Sequence, residues 1–103
     1  MSEDSTGTAG TDDVQVRRDG SRYVATLDGE DVGVAYARET DGRVVFTHTE
    51  VDDAVEGRGV GSALVRWALD DVRSRDLRVV AQCPFVAAYV RRHEEYADLV
   101  DAS

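Results

Sequence analysis

The stretch Phe46 to Ser62, FTHTEVDDAVEGRGVGS, constrains this chain more than any other. An alternating strand pattern runs through a short acidic turn into Gly57, Gly59 and Gly61, and a helical pattern starts directly after them. Glycine opens backbone conformations closed to residues with a Cβ and lets a ligand approach the main chain. A helix that begins there offers unpaired N–H groups and the positive end of its dipole, which suits an anionic group such as a pyrophosphate. Glycines also punctuate ordinary strand-to-helix connections, so a plain turn is the competing reading. Two familiar phosphate loops are excluded on residues. No Gly-Lys-Ser/Thr follows, and no βαβ unit carrying GxGxxG precedes an acidic ribose-binding residue.

Size and charge narrow the rest. A chain of 103 residues has room for one modest core, burying roughly 60–65 % of its unfolded surface. With 21 acidic against 12 basic residues the net charge is −9, which opposes association with nucleic acid or an anionic membrane surface. Every basic residue is Arg, and high salt would screen the self-repulsion of so acidic a surface. The lone Cys83 has no disulfide partner within the chain, and no signal peptide or membrane-length apolar run is present. The expectation is a cytoplasmic protein, monomeric or weakly dimeric. One Cys and two distant His residues do not make a metal site.

In chain order, residues 1–13 (MSEDSTGTAGTDD) carry almost no large apolar side chain and are expected to be a disordered tail. Residues 14–103 form the single domain. Asp19-Gly20, Asp28-Gly29 and Asp41-Gly42 separate apolar runs and imply an antiparallel meander. Its strands are expected at Val14–Arg18, Arg22–Leu27, Val32–Glu39 and Arg43–Val51. Alternation puts Tyr23, Ala25 and Leu27 on one face of the second strand, and Val32, Val34 and Tyr36 on one face of the third. From Val60 to Arg75 the period becomes helical. Val60, Leu64, Trp67, Ala68 and Val72 face inward, widened by Val65 and Leu69, and Arg66, Asp70, Asp71 and Arg73 face outward. Leu77 to Cys83 reads as a fifth strand, parallel to the fourth through the helical crossover. Pro84 opens a second helix, PFVAAYVRRHEEY. Tyr96, Leu99 and Val100 are expected to return onto the sheet. The fold class is α/β with a mixed sheet: a four-strand meander, a helix, a parallel fifth strand and a second helix.

The runs HTEV, EGRGVGSALV and CPFVAAYVRRHEEYADLV resemble the small single-domain branch of the GNAT superfamily of acetyl-CoA-dependent N-acetyltransferases, which has a Cys-Pro after the fifth strand. The resemblance spans roughly Val14 to Val100. It implies that the cofactor's pyrophosphate rests on a loop of pattern Gln/Arg-x-x-Gly-x-Gly/Ala. Gly59 and Gly61 match its glycines, but Glu56 stands where Gln or Arg is usual. That departure shifts the expected contacts to the backbone of Arg58, Gly59, Val60, Gly61 and Ser62, with Gly57 shaping the turn. The resemblance also implies that the pantetheine arm enters between the fourth and fifth strands, against Thr49, Glu50 and Val51. Independently, the C-terminal ends of parallel strands, here near Val51 and Cys83, are the usual ligand edge of such a sheet.

The implied reaction, attack of an amine on a thioester, needs a base, an acid for the departing thiolate and donors for the carbonyl oxygen. Cys83, beside the second helix, is a candidate nucleophile or proton donor, with an inert buried thiol as the rival reading. Tyr89 resembles the general-acid tyrosine of many relatives; a core tyrosine is its rival. His48 and Glu50 are the candidate bases, against a structural histidine and an exposed carboxylate. Arg91, with Arg92 and His93, would meet the 3′-phosphate of CoA or complement the helix dipole. Arg58 has the same two roles open at the loop. The expected activity is acetyl transfer from acetyl-CoA to an amine, of a protein or peptide by the openness of so short a chain. The rivals are an acyl-CoA-binding module without catalysis and a non-enzymatic interaction domain.

Overall fold

The computed structural model describes residues 14–55 and 57–101, so the expected tail at residues 1–13 and Glu56 lie outside the described residues. Five strands form one sheet in the order β1-β2-β3-β4-β5. They are β1 (Gln15–Asp19), β2 (Arg22–Leu27), β3 (Glu30–Thr40), β4 (Arg43–Val51) and β5 (Arg78–Ala81). The first four pair antiparallel and β4 pairs β5 parallel, with Val44 opposite Val79 and Phe46 opposite Ala81. Helix α1 (Val60–Ser74) makes the crossover and α2 (Pro84–Arg92) follows β5.

The hairpins follow from their turn residues. Asp28-Gly29 and Asp41-Gly42 are the central pairs of two-residue turns, all four with positive φ (53°, 82°, 51° and 78°), as twist-matched hairpin turns require. The first hairpin differs from expectation. Asp19 is already paired with Arg22, so the central residues are Gly20 and Ser21.

The third strand corrects the expected alternation. A bulge opposite Ala25/Thr26 inserts Val32 as an extra residue, and a second opposite Tyr36/Ala37 inserts Thr47 into β4. Each bulge breaks the two-residue period. Val32 and Ala35 are therefore buried, and Tyr36 is exposed on the sheet face away from the helices.

The helix-side face builds the core. Tyr23, Ala25, Leu27, Ala35, Val44, Phe46 and Val79 pack against Val60, Leu64, Val65, Ala68, Leu69 and Val72 of α1 and Val86 of α2. Trp67, expected inward, is instead exposed at the margin of the core, its ring edge-on to Tyr23 with centroids 5.8 Å apart. Asp70 and Asp71, expected outward, both accept tyrosine hydroxyls: Tyr96 donates to Asp70 (2.7 Å) and Tyr23 to Asp71 (2.7 Å). Arg75 donates to Asp71 (3.1 Å), to Glu39 (2.8 Å) and to the Tyr23 hydroxyl (3.1 Å), which satisfies this partly buried cluster. After α2 a 3-10 turn, Glu94–Leu99, buries Tyr96 and Leu99. Val100 then bridges Val79 in parallel, and the Asp101 amide donates to the Val79 carbonyl (2.7 Å). The Asp101 carboxylate accepts from Arg78 (2.8 Å) and Arg43 (3.0 Å). These contacts hold it below the usual carboxylate range.

Burial, with the Asp71 hydrogen bond, pushes the Tyr23 phenol up to about 12. The fold thus favours the neutral phenol, and the corresponding stability is complete below the ordinary tyrosine value near ~10 and lost as pH rises through the folded one. The melting temperature is expected to fall between pH 10 and about 12. Tyr23→Phe should flatten part of that fall while costing about 1–2 kcal/mol at neutral pH through lost hydrogen bonds. Melts followed by far-UV circular dichroism check both. Among the described residues, no helix is long and apolar enough to cross a membrane.

Candidate functional site

Two features meet at the C-terminal end of β4. The first is the loop into α1. Gly57 (φ 86°) and Gly59 (φ 79°) lie in the left-handed region and turn the chain out of the 3-10 turn Asp53–Val55 into the helix. Residues with a Cβ would be strained there. The Arg58 amide donates to the Val55 carbonyl (3.1 Å), and the first intrahelical bond runs from the Ala63 amide to the Gly59 carbonyl (3.0 Å). The amides of Val60, Gly61 and Ser62 therefore precede the intrahelical ladder. Gly59 supplies no side-chain cap, and the first turn holds no acidic residue. These groups open into a recess of about 250 Å³, walled by Val51, Val55, Gly57, Ser62 and Phe85. Amides that precede the intrahelical ladder at the positive end of a helix dipole, with no acidic residue in the first turn, form a cradle of the kind that suits an anion.

The second feature is a parting of β4 from β5. Their pairing ends at Phe46 and Ala81, and the amides of Gln82 and Cys83 both turn to the Phe46 carbonyl (3.0 and 2.9 Å). Beyond that point β4 continues to Val51, paired to β3 alone among the named strands. The bulge at Thr47 sits at the start of this stretch. Thr49 Oγ1 and Cys83 Sγ hydrogen bond across the parting at 3.3 Å, and Cys83 is 2 % exposed.

Several sequence candidates are thus brought together. Gly57, Gly59, Val60, Gly61, Ser62 and Val51 line one recess, and Thr49 faces Cys83. His48 and Glu50 lie on the sheet face away from the helices, where His48 Nε2 donates to Glu50 Oε2 (3.0 Å) and the His48 ring stacks on Tyr36. Arg58 is exposed on the loop itself. Tyr89 and Arg91 go elsewhere. Tyr89 stacks on His93 with centroids 3.9 Å apart, neighbours Tyr96, and feels the charges of Arg66 and Asp70 on α1. Burial raises its phenol above the ordinary value. Arg91 is exposed in the last turn of α2, outside the recess lining. The reason is the helix's own pattern, since Cys83, Val86 and Tyr89 all join the buried core, with Tyr89 at the end near α1 and Tyr96.

Phe85 is the site residue that sequence reasoning missed. Its ring stands over Gly61, where an added Cβ would come within 2.6 Å of the Phe85 Cζ, so Gly61 permits a close approach of α2 to the first turn of α1. The available signal was a glycine one residue inside a helix, matched by an aromatic after Pro84. Among the described residues, no group of three or more His, Cys, Asp or Glu could hold a metal ion.

The family described as GCN5-related N-acetyl-transferase matches residues 22–99. Protein NATD1 of Gallus gallus is 34 % identical over 84 residues, covering 78 % of this chain and 76 % of that protein. Protein NATD1 of Homo sapiens is 40 % identical over 50 residues, 48 % of this chain and 44 % of its own length. The solution structure of a GCN5-like protein from Staphylococcus aureus superposes with a TM-score of 0.67 over 93 % of both chains at 18 % identity, which is likeness of fold. A ribosomal-protein-alanine N-acetyltransferase from Brucella melitensis gives 0.56 at 20 % identity, over 80 % of this chain and 64 % of that one. With the family match spanning the glycine loop, the parted strands and α2, this chain belongs to the GCN5-related N-acetyltransferase family.

Proposed function

We propose that the protein is an acetyl-CoA-dependent N-acetyltransferase acting by direct transfer. The observation that carries this reading is the cradle of Val60, Gly61 and Ser62 amides, opened by Gly57 and Gly59 and continuous through Val51 with the parted strand β4. The cradle suits a pyrophosphate, and the stretch Thr49–Val51, paired with β3 but not with β5, suits an extended amide-bearing arm through main-chain hydrogen bonds on its free edge.

Acetyl-CoA, when bound, supplies an acetyl thioester whose carbonyl carbon accepts the amine and whose sulfur departs. The residues of the chain do the rest. Glu50 accepts the Nε2–H of His48, which fixes the tautomer and leaves Nδ1 with the lone pair that takes a proton from the incoming ammonium. Cys83 and Thr49, joined across the parting at 3.3 Å, are the candidate donors to the departing sulfur. A thiol is chemically matched to return a proton to a thiolate. Phe85 shields the cradle from water.

Calorimetric titration with acetyl-CoA and CoA, at low and molar salt, tests the cofactor. Saturable binding near one equivalent is expected, and no binding in either salt would end the transferase reading. Cys83→Ser is expected to keep transfer within about tenfold, because a hydroxyl preserves the contact to Thr49 and loses only the better acid. Intact-mass spectrometry of the acetyl-CoA-treated protein should show no acetyl adduct. An adduct at Cys83 would replace direct transfer with a covalent route.

The burial of Cys83 and its engagement with Thr49 favour one second reading, an acyl-CoA-binding module without significant catalysis. Cofactor binding without turnover on any amine would select it.

A further inference from the structure

The parting between β4 and β5 is a wedge with residues on both sides at three depths. At its mouth Val51 of β4 and Phe85 of α2 wall the cradle recess. Two residues further in on each element stand Thr49 and Cys83, whose Oγ1 and Sγ lie 3.3 Å apart. At the vertex Phe46 is opposite Ala81, and the Phe46 carbonyl accepts the Gln82 and Cys83 amides. Thr49 pairs with Ala35, which is fully buried on the helix side, so beyond the bulge at Thr47 both Thr49 and Val51 face the helices. Strand rise over two residues puts Thr49 roughly 7 Å inward of Val51. Both members of the pair are fixed. Thr49 is β-branched on a strand paired with β3, which restricts its χ1. Cys83 is 2 % exposed, its amide is held by Phe46 (2.9 Å), and its carbonyl accepts the Ala87 amide (3.0 Å). Beyond the pair lies closed core, with Phe46 1 % exposed and Val86 fully buried.

Resting on the transferase reading above, we infer that the Thr49–Cys83 pair is the bar that sets donor specificity, admitting the two-carbon acetyl thioester and turning away longer acyl groups. A thioester entering from the cradle along β4 reaches the pair before it reaches the vertex. An oxygen and a sulfur in hydrogen-bond contact leave no gap between them. A four-carbon acyl chain therefore has to break that contact and press towards Phe46 and Val86, or fold back towards solvent. A close-packed interior accepts extra methylenes only by displacing its neighbours. The CoA portion is common to all such donors, so the cost falls on the acyl group alone and appears as a difference between thioesters. The bar consists of two side chains, whereas the arm is held by main-chain groups of β4. Donor choice can thus be altered with those main-chain groups left in place.

The test is calorimetric titration of the full chain with CoA, acetyl-CoA, butyryl-CoA and hexanoyl-CoA, the affinity for free CoA serving as the reference within each protein. Butyryl-CoA and hexanoyl-CoA are expected to bind at least about tenfold more weakly than acetyl-CoA, the scale on which pockets discriminate methylenes. Thr49→Ala removes one side of the bar and should cut that preference about tenfold. Thr49→Val keeps the volume without the hydroxyl and should retain most of it. Cys83→Ala opens the wedge from the other side and should relax the preference in the same direction, which keeps the test decisive if Thr49→Ala folds poorly. Melts of each variant establish folding. Equal affinity of the unaltered chain for acetyl-CoA and butyryl-CoA, or a preference unchanged in both Thr49→Ala and Cys83→Ala, would overturn the inference and leave the transferase reading standing. Failure of CoA and every thioester to bind would overturn that reading, and the inference with it.

Discussion

Gly59→Glu is expected to raise the dissociation constant for CoA at least about 100-fold, a loss near 2.7 kcal/mol. Two effects add. Gly59 holds φ 79°, where a residue with a Cβ is strained by about 1–2 kcal/mol. The new carboxylate also begins one residue before the first amides of α1, where it caps them as an anionic cofactor would and repels phosphate besides. Among the described residues beyond its chain neighbours, no heavy atom lies within 4 Å of a Cβ added at Gly59, so the substitution meets no steric block from them. Gly59→Ala carries the strain without the charge and separates the two effects. Calorimetry on both variants, with a melt of each to establish folding, should show Ala retaining much more affinity than Glu. Equal, wild-type affinity in both would mean that phosphate does not rest on this loop.

His48→Ala is expected to lower kcat by about 10²–10⁴ with the affinity for acetyl-CoA unchanged, the range for losing a positioned base. His48 lies across the sheet from the helices and is absent from the cradle lining, so cofactor binding has no reason to change. Its exposure limits the stability cost of truncation to the stacking on Tyr36 and the Glu50 hydrogen bond. Glu50→Gln should lower kcat less, since an amide still orients the ring but can equally stabilise the wrong tautomer. Acetyl-CoA titrations beside steady-state rates distinguish this from a binding defect. Undiminished turnover in His48→Ala would remove His48 from the reaction.

The order of the sheet could be read from the chain because its determinants are local. Asp28-Gly29 and Asp41-Gly42 specify their hairpins within two residues, and the switch of period at Val60 marks the crossover that makes β5 parallel. The face of β3 could not be read. Its bulge at Val32 depends on the partner strand, and the inserted residue shifts every later side chain to the other face. The cradle was legible for the same reason as the hairpins, since one continuous stretch builds it. Phe85 over Gly61 and the Thr49–Cys83 bridge join residues far apart in sequence, and no spacing rule connects them. Tyr89 illustrates the converse, because a helical stripe fixes a residue's neighbours on its own helix but not which element that stripe meets.

The Val100–Asp101 strap closes the outer side of β5 through one bridge and two arginine contacts. A chain cut after Leu99 would keep every residue of the cradle. It would, however, leave the Val79 carbonyl unpaired and an apolar strand rim ready to zip onto another copy. The strap thus serves colloidal behaviour rather than chemistry, and self-association of such a truncated form would leave CoA affinity in the surviving monomer intact.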